Sequence, residues 1–234
     1  MGGNFPVKKI LILVVILALP GFLYYLLQEK GKNRYHPLAI FGPKQLAGTF
    51  HKKRGKKIRD TLYHTVPSFL LTNQNGLPTK FPADSGSITV VSFFYTRGGQ
   101  PCAYMNYALS GLVKEYDRNK RMQFLTISVD PEFDTPPELK KYSMTYSARA
   151  GKWSFLTGDQ DKIYEIARRG FLVDALRDTL EQGNFIYSPM FILVDPLRRI
   201  RGYYDSGIKE QVDKLNDEIK VLIVEELRKV KNPG

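Results

Sequence analysis

The chain opens on an uninterrupted apolar run. From Ile10 to Leu27 it reads ILILVVILALPGFLYYLL, 18 residues without a charge. As a helix this run extends about 27 Å, against a hydrocarbon core of about 30 Å. Lys8 and Lys9 precede it, and Tyr24 and Tyr25 stand where an interfacial aromatic belt would fall. The pattern predicts a transmembrane anchor over 10–27 with a short cytoplasmic segment, 1–9, before it. A cleaved signal peptide competes, but no small-x-small site follows the run and no cysteine is placed for lipidation. Lys30, Lys32 and Arg34 follow the span, so charge alone does not orient it.

Residues 28–63 lose the apolar pattern and gather basic residues, most densely in HKKRGKKIRD. They read as a basic linker, with attraction to anionic headgroups as the alternative to a merely solvated spacer. From His64 onward the pattern is that of a packed domain, 64–234. VPSFLLT alternates and runs into the turn NQNG, the signature of a hairpin. ITVVSFFY and MQFLTISVD are β-branched and aromatic runs of the kind buried on both faces of a sheet. Between them, Cys102 to about Arg118 carries Ala108, Leu109, Leu112, Val113 and Tyr116 at helical spacing. TPPELKKYSMTY predicts a helix with prolines in its first turn. WSFLTGDQDKIYEIARRG predicts a strand, a cap near Gly158 and Asp159, and a helix ending at Gly170. PMFILVD and IRGYYD form a hairpin, and a last helix covers about Lys209 to Val230. This order is α/β with a mixed central sheet, and it resembles the thioredoxin-like fold. In that fold the reactive turn joins the first core strand to the first core helix, where Cys102 falls, and a proline such as Pro189 faces it.

Charge narrows the function classes. The total is +12, but residues 1–63 hold 12 Lys and Arg against 2 acids, which leaves only +2 on residues 64–234. Nucleic-acid binding by a basic face of the domain therefore loses its support. One cysteine in 234 residues rules out an internal disulfide, though not an oxidising compartment.

That cysteine sits in FYTRGGQPCAYMN. VPSFLLTNQNG, VVSFFYTRGGQPCAYMN, FLTISVDPEFDTPPELKKY, WSFLTGDQDKIYEIARRGF and SPMFILVDPLRRIRGYYDSG follow one another in the order and spacing of the Sco/SenC family. The chain resembles that family over roughly Thr65 to Val224. The resemblance implies a membrane-anchored thioredoxin-fold protein that handles copper during cytochrome c oxidase assembly, with some members acting as thiol-disulfide reductants. It implies a domain outside the bacterial cytoplasm or in the mitochondrial intermembrane space. An anchor beginning at residue 10 favours the bacterial inner membrane, with the domain facing the periplasm. The family binds copper through two cysteines in C-P-x-x-C-P and a histidine before the penultimate hairpin. Carried over, that motif puts Gly98 at the first cysteine, Gly99 at the first proline, Cys102 at the second cysteine and Ala103 at the second proline; the histidine falls on Tyr187.

Two of three ligands are thus replaced, and a single thiolate does not close a soft-metal site. His36, His51 and His64 all precede the core, and His64 reads as structural. Met105, three residues after Cys102, and Met190, after Pro189, are core residues or weak substitute ligands. Pro101 starts the helix and leaves Cys102 in its first turn, where the dipole and Arg97 favour a thiolate, unless the side chain is simply buried. Thr96 lies six residues before Cys102 rather than the three that peroxiredoxin chemistry uses. Asp134 reads as a helix cap, Asp130 as a strand end near the site mouth, and Trp153 as core. The expectation is an assembly factor with impaired or lost copper binding, anchored in the membrane and partnered with an oxidase subunit or another respiratory assembly factor. The alternatives are a one-cysteine thiol-disulfide or peroxide-handling protein and a non-catalytic partner-binding domain.

Overall fold

The computed structural model describes residues 7–30, 37–53, 55–178 and 185–231. Two compact units divide the chain, Met1–Pro37 and Leu38–Gly234. The first contains helix α1, Val7–Lys30, with Pro20 inside it. Its described side chains, 14–25, are all exposed. Among the described residues no helix is long and apolar enough to cross a membrane. Those twelve positions rise only about 18 Å, and the rest of the 10–27 run lies outside the side chains described. Residues 1–6 and 31–36, which include His36, likewise lie outside the described residues.

The second unit begins earlier than the expected boundary at residue 64. The segment read as a linker contains an antiparallel hairpin, β1 (Lys44–Lys53) and β2 (Lys56–Tyr63), paired from Lys44 with Tyr63 to Lys53 with Lys56 across a bulge between Leu46 and Phe50. Charge density masked the alternation on which a strand reading depends. Residues 38–43 are stitched to the domain. Phe41 donates its N–H to Ile200 O, His64 donates to Pro43 O, and the Arg201 guanidinium donates to the carbonyls of Leu38 and Ala39.

The central sheet has seven strands. In chain order they are β3 (Phe69–Asn73), β4 (Pro78–Phe81), β5 (Ile88–Phe94), β6 (Met122–Ser128), β7 (Trp153–Thr157), β10 (Met190–Val194) and β11 (Ile200–Asp205), and they lie side by side as β11-β10-β5-β6-β7-β3-β4. β5, β6 and β7 are parallel, from Ile88 beside Met122 to Phe94 beside Ser128, and the outer pairings are antiparallel. Every residue of β5 is buried, as a continuous apolar strand covered on both faces must be. Helices α2 (Gly99–Glu115), α3 (Pro136–Met144), α4 (Gln160–Glu165) and α5 (Lys209–Lys231) complete the unit. Asp159 caps α4 by accepting the Lys162 N–H at 2.9 Å, as expected, and the chain continues through a π-helical turn, Ile166–Phe171, to Leu172 in the left-handed region. A short antiparallel pair, β8 (Ala175–Arg177) and β9 (Phe185–Tyr187), has no counterpart in the sequence reading. It is too short to leave a periodic signal.

One local expectation is corrected. Asp134 does not cap α3: Thr135 holds that position, without a side-chain cap bond, and the Asp134 carboxylate turns inward. Among the described residues the cis peptide bond is Phe81–Pro82, so Pro189 follows a trans bond.

Candidate functional site

Cys102 follows the C-terminal end of β5 after the turn Tyr95–Gly98. It lies in the first turn of α2, at the head of a buried stripe of Cys102, Met105, Asn106, Leu109 and Leu112. The spacing of 3, 1, 3 and 3 residues keeps all five on one helix face, so the sulfur points into the core and is fully buried.

Its polar partner is the position that the resemblance assigns to histidine. Tyr187 ends β9, and its hydroxyl lies 3.0 Å from Cys102 Sγ. β9 is registered on β8, with Tyr187 opposite Ala175, and Ser188 N–H donates to Asp174 O at 3.1 Å, which fixes where the phenol points. Tyr95 packs edge-on against the Tyr187 ring at 5.9 Å and against Phe185 at 5.0 Å. On the other side of the sulfur stands Gly98. Its φ of −71° is open to any residue, so the need for glycine is spatial. A Cβ at 98 would fall inside the contact shell of Cys102 Sγ and 3.1 Å from both Tyr95 O and Tyr95 Cε1. The sulfur occupies the space a side chain at 98 would fill. Gly99 has φ +62°, which proline cannot adopt, so this turn has departed from the shape a C-P pair would take.

Burial sets the ionisation state. It pushes the Cys102 thiol up, and the Tyr187 hydroxyl and the Tyr95 backbone offset this only in part. It pushes the Tyr187 hydroxyl up as well, a shift reinforced by Cys102. Both groups are therefore neutral at pH 7. The thiolate favoured by a helix N-terminus and Arg97 is not what forms, because desolvation dominates. Arg97 is engaged elsewhere: its guanidinium meets Asp130 at 2.5 Å and stacks over Phe133 at 4.1 Å.

The two acids of SVDPEFDTP hold the loop around the thiol in place. Asp134, fully buried, accepts the Thr96 N–H at 3.0 Å, the Thr96 hydroxyl, and the Ser128 hydroxyl at 2.5 Å. It thereby ties the residue after Tyr95 to the end of β6. Burial raises the Asp134 pKa, against the hydrogen bonds from Ser128 and Thr96. Asp130 donates its N–H to Ser128 Oγ and pairs with Arg97. Neither acid faces a partner arranged for acid-base work.

Sequence reasoning passed over Asn106. It lies buried one turn from Cys102, and its Nδ2 donates to Cys102 O at 3.0 Å and to Tyr142 Oη at 3.3 Å. Tyr146 donates in turn to the Tyr142 hydroxyl at 3.4 Å. The signal available for Asn106 was its place on the buried stripe. Met105 is buried in the core and Met190 is half-buried beside it. His64, as expected of a structural residue, contacts Gly170 O through Nε2 at 2.7 Å; the side chain of His51 lies outside the described residues.

A family model described as SCO1/SenC matches residues 59–223. The chain belongs to the SCO1/SenC family. The SCO1 protein homolog of Bacillus subtilis (strain 168) is 28% identical over 168 residues, covering 71% of this chain and 86% of the relative. A SCO1/SenC family lipoprotein from Bacillus anthracis str. Ames superposes with a TM-score of 0.62 at 25% identity, over 68% of this chain and 95% of that one. BsSco, described as a member of the Sco family of cytochrome c oxidase assembly proteins and as carrying a disulfide switch, gives a TM-score of 0.58 at 28% identity, over 67% and 92%. The mixed sheet is the thioredoxin-like fold of these SCO1/SenC proteins.

For Cu(I), a soft ion held by thiolate, thioether and imidazole, the donor set is decisive. Around Cys102 it consists of one neutral thiol and a phenol. Among the described residues no group of three or more His, Cys, Asp or Glu side chains is placed to hold a metal ion. The residues at the family's ligand positions do not fit the copper that the family handles.

Proposed function

We propose that the protein is a membrane-anchored SCO1/SenC member that serves cytochrome c oxidase assembly or copper homeostasis through contacts with partner proteins, without holding copper in the family's three-ligand set. The observation that carries the reading is the Cys102–Tyr187 pair, 3.0 Å apart, with Gly98 opposite. Each replaced ligand leaves behind a group that fits the metal-free arrangement. BsSco is described as an oxidase assembly protein with a disulfide switch; this chain, with one cysteine, has no second thiol for an internal switch. The buried, neutral state of Cys102 weighs against a thiol-disulfide or peroxide reaction and in favour of an assembly factor over an enzyme.

The apolar run within α1 supports an anchor in a bacterial inner membrane with the domain on the periplasmic side, where an oxidase subunit or another assembly factor is the partner class. Protease added outside intact spheroplasts tests that orientation by cleaving the domain. Anaerobic Cu(I) titration of the full chain tests the site. Native protein is expected to show no tight one-to-one uptake, and the Gly98→Cys/Tyr187→His variant to gain affinity. Stoichiometric tight binding by the native chain overturns the reading.

A further inference from the structure

Residues 64–234 are near-neutral, and one strongly charged element precedes them. Hairpin 44–63 holds seven Lys and Arg, namely Lys44, Lys52, Lys53, Arg54, Lys56, Lys57 and Arg59, against the single acid Asp60. It is also unusually apolar for an exposed pair of strands. Leu46 is 67% exposed, Leu62 60%, Phe50 44% and Ile58 41%. Among the described residues the strands pair only with each other, as a two-stranded sheet apart from the central one. A solvated spacer has no use for exposed leucine and phenylalanine, and a core element has none for seven cations.

The cations and rings are interleaved. Lys57 Nζ sits 4.4 Å above the Phe50 ring, Arg59 Cζ 5.5 Å from it, and Lys44 Nζ 5.8 Å from the Tyr63 ring. Phe50 faces Arg59 across the ladder, and Lys52 faces Lys57. Apolar side chains with basic groups on flexible stems beside them are what binds at a headgroup boundary, the rings entering the interface and the cations meeting phosphate. The chain supplies the proximity. Thirteen residues, 31–43, separate α1 from β1, and their reach is at most about 45 Å.

We propose that the 44–63 hairpin is a peripheral lipid-binding element that rests on the anionic surface of the bilayer. Proximity to that surface rests on the anchor reading; the binding chemistry does not. The segment leading into the hairpin is joined to β11 of the central sheet through Phe41 N–H to Ile200 O and through the Arg201 guanidinium to the carbonyls of Leu38 and Ala39, so seating the hairpin would fix the domain at the membrane rather than leave it on a free tether.

The test uses the full chain in nanodiscs of phosphatidylcholine alone or with phosphatidylglycerol. Leu62→Trp is the reporter, with unsubstituted protein subtracted to remove Trp153. In anionic discs its emission is expected to shift to the blue and to be quenched by headgroup-depth spin-labelled lipid. Both signals should fade at high salt, where screening shortens to about 3 Å at 1 M. They should also fade when Lys52, Lys56, Lys57 and Arg59 are replaced by serine, with vesicle partitioning falling about fivefold per cation removed. Equal emission in both disc types, open to aqueous quencher, overturns the proposal and assigns the basic hairpin to another acidic macromolecule. Failure of the chain to co-elute with neutral discs overturns the anchor alone. Sedimentation with phosphatidylglycerol vesicles then reads the hairpin directly, and absence of binding there overturns it too.

Discussion

Gly98 and Cys102 compete for one volume, and this can be measured as a coupling energy. In Gly98→Ala the new methyl meets Cys102 Sγ and lies 3.1 Å from Tyr95 O and Cε1. Sγ must leave its place beside Tyr187, and overpacking of this kind costs about 2 kcal/mol. In Cys102→Ala the clash disappears, but a small void opens and the Tyr187 hydroxyl loses its 3.0 Å partner, together about 1.5 kcal/mol. In the double variant the methyl added at position 98 moves into the volume the sulfur left, while the orphaned hydroxyl and the 3.1 Å contacts with Tyr95 remain, together about 1.5 kcal/mol. The expected coupling is therefore about 2 kcal/mol, well outside the few tenths by which independent sites depart from additivity. Urea unfolding of the full chain in detergent, followed through the buried Trp153, yields the four midpoints. Additive singles would show that the sulfur does not fill the space beside residue 98, and the account of how this site closes without metal would fail with it.

Three further outcomes test the surrounding arrangement. Asp134→Ala strands the Thr96 N–H and the Thr96 and Ser128 hydroxyls; a loss of about 3 kcal/mol is expected in chemical denaturation, and a loss within error would mean that the clamp is idle. The native Cys102 thiol should ionise above the free value of about 8.5, read by thiolate absorbance. Because the unfolded chain loses that proton first, stability should fall as pH rises from about 8.5 toward the native value. Cys102→Ser should flatten that limb, and a native pKa at or below the free value would refute the burial argument. Tyr187→Phe removes the hydroxyl that holds the thiol down, so the thiol should titrate higher still at a cost of about 1 kcal/mol; an unchanged titration would detach Tyr187 from the sulfur.

Much of this was legible in the chain. The buried strands β5 and β6, the hairpin β10–β11 and helix α5 announce themselves through long apolar or periodic runs, where pattern outweighs local propensity. Even the burial of Cys102 was readable, by extending the apolar stripe of α2 back from Leu112 through Leu109 and Met105. What was not legible depends on contacts between residues far apart in the chain. Asp134 has the spacing of a cap, yet its carboxylate goes to Thr96, 38 residues earlier. The hairpin at 44–63 hid behind its own charge, since alternation is counted in apolar residues and the run HKKRGKKIRD at its turn reads as a solvated basic stretch.

The two departures from the family's ligands make sense as one change rather than two losses. With a side chain at 98, Cys102 could not adopt its present position, because Sγ lies where that side chain begins. With histidine at 187, a shorter side chain would stand where the phenol now extends its hydroxyl to the sulfur. Glycine at 98 admits the thiol into the core, and tyrosine at 187 meets it there with a hydrogen bond, while Asp134 holds the connecting loop against β6. Each substitution alone would leave either a void or a clash beside a buried sulfur, each costing about 1–3 kcal/mol. Together they pack the sulfur against the Tyr187 hydroxyl, beside Asn106, whose Oδ1 is buried without a partner. Gly98→Cys alone should destabilise and add a second thiol beside Cys102 without the third donor, and Tyr187→His alone should leave a gap. Only the pair restores soft donors on both sides of Cys102, and the Cu(I) titration of single and double variants would separate this concerted closure from piecemeal decay: equal gains from either single change would refute it.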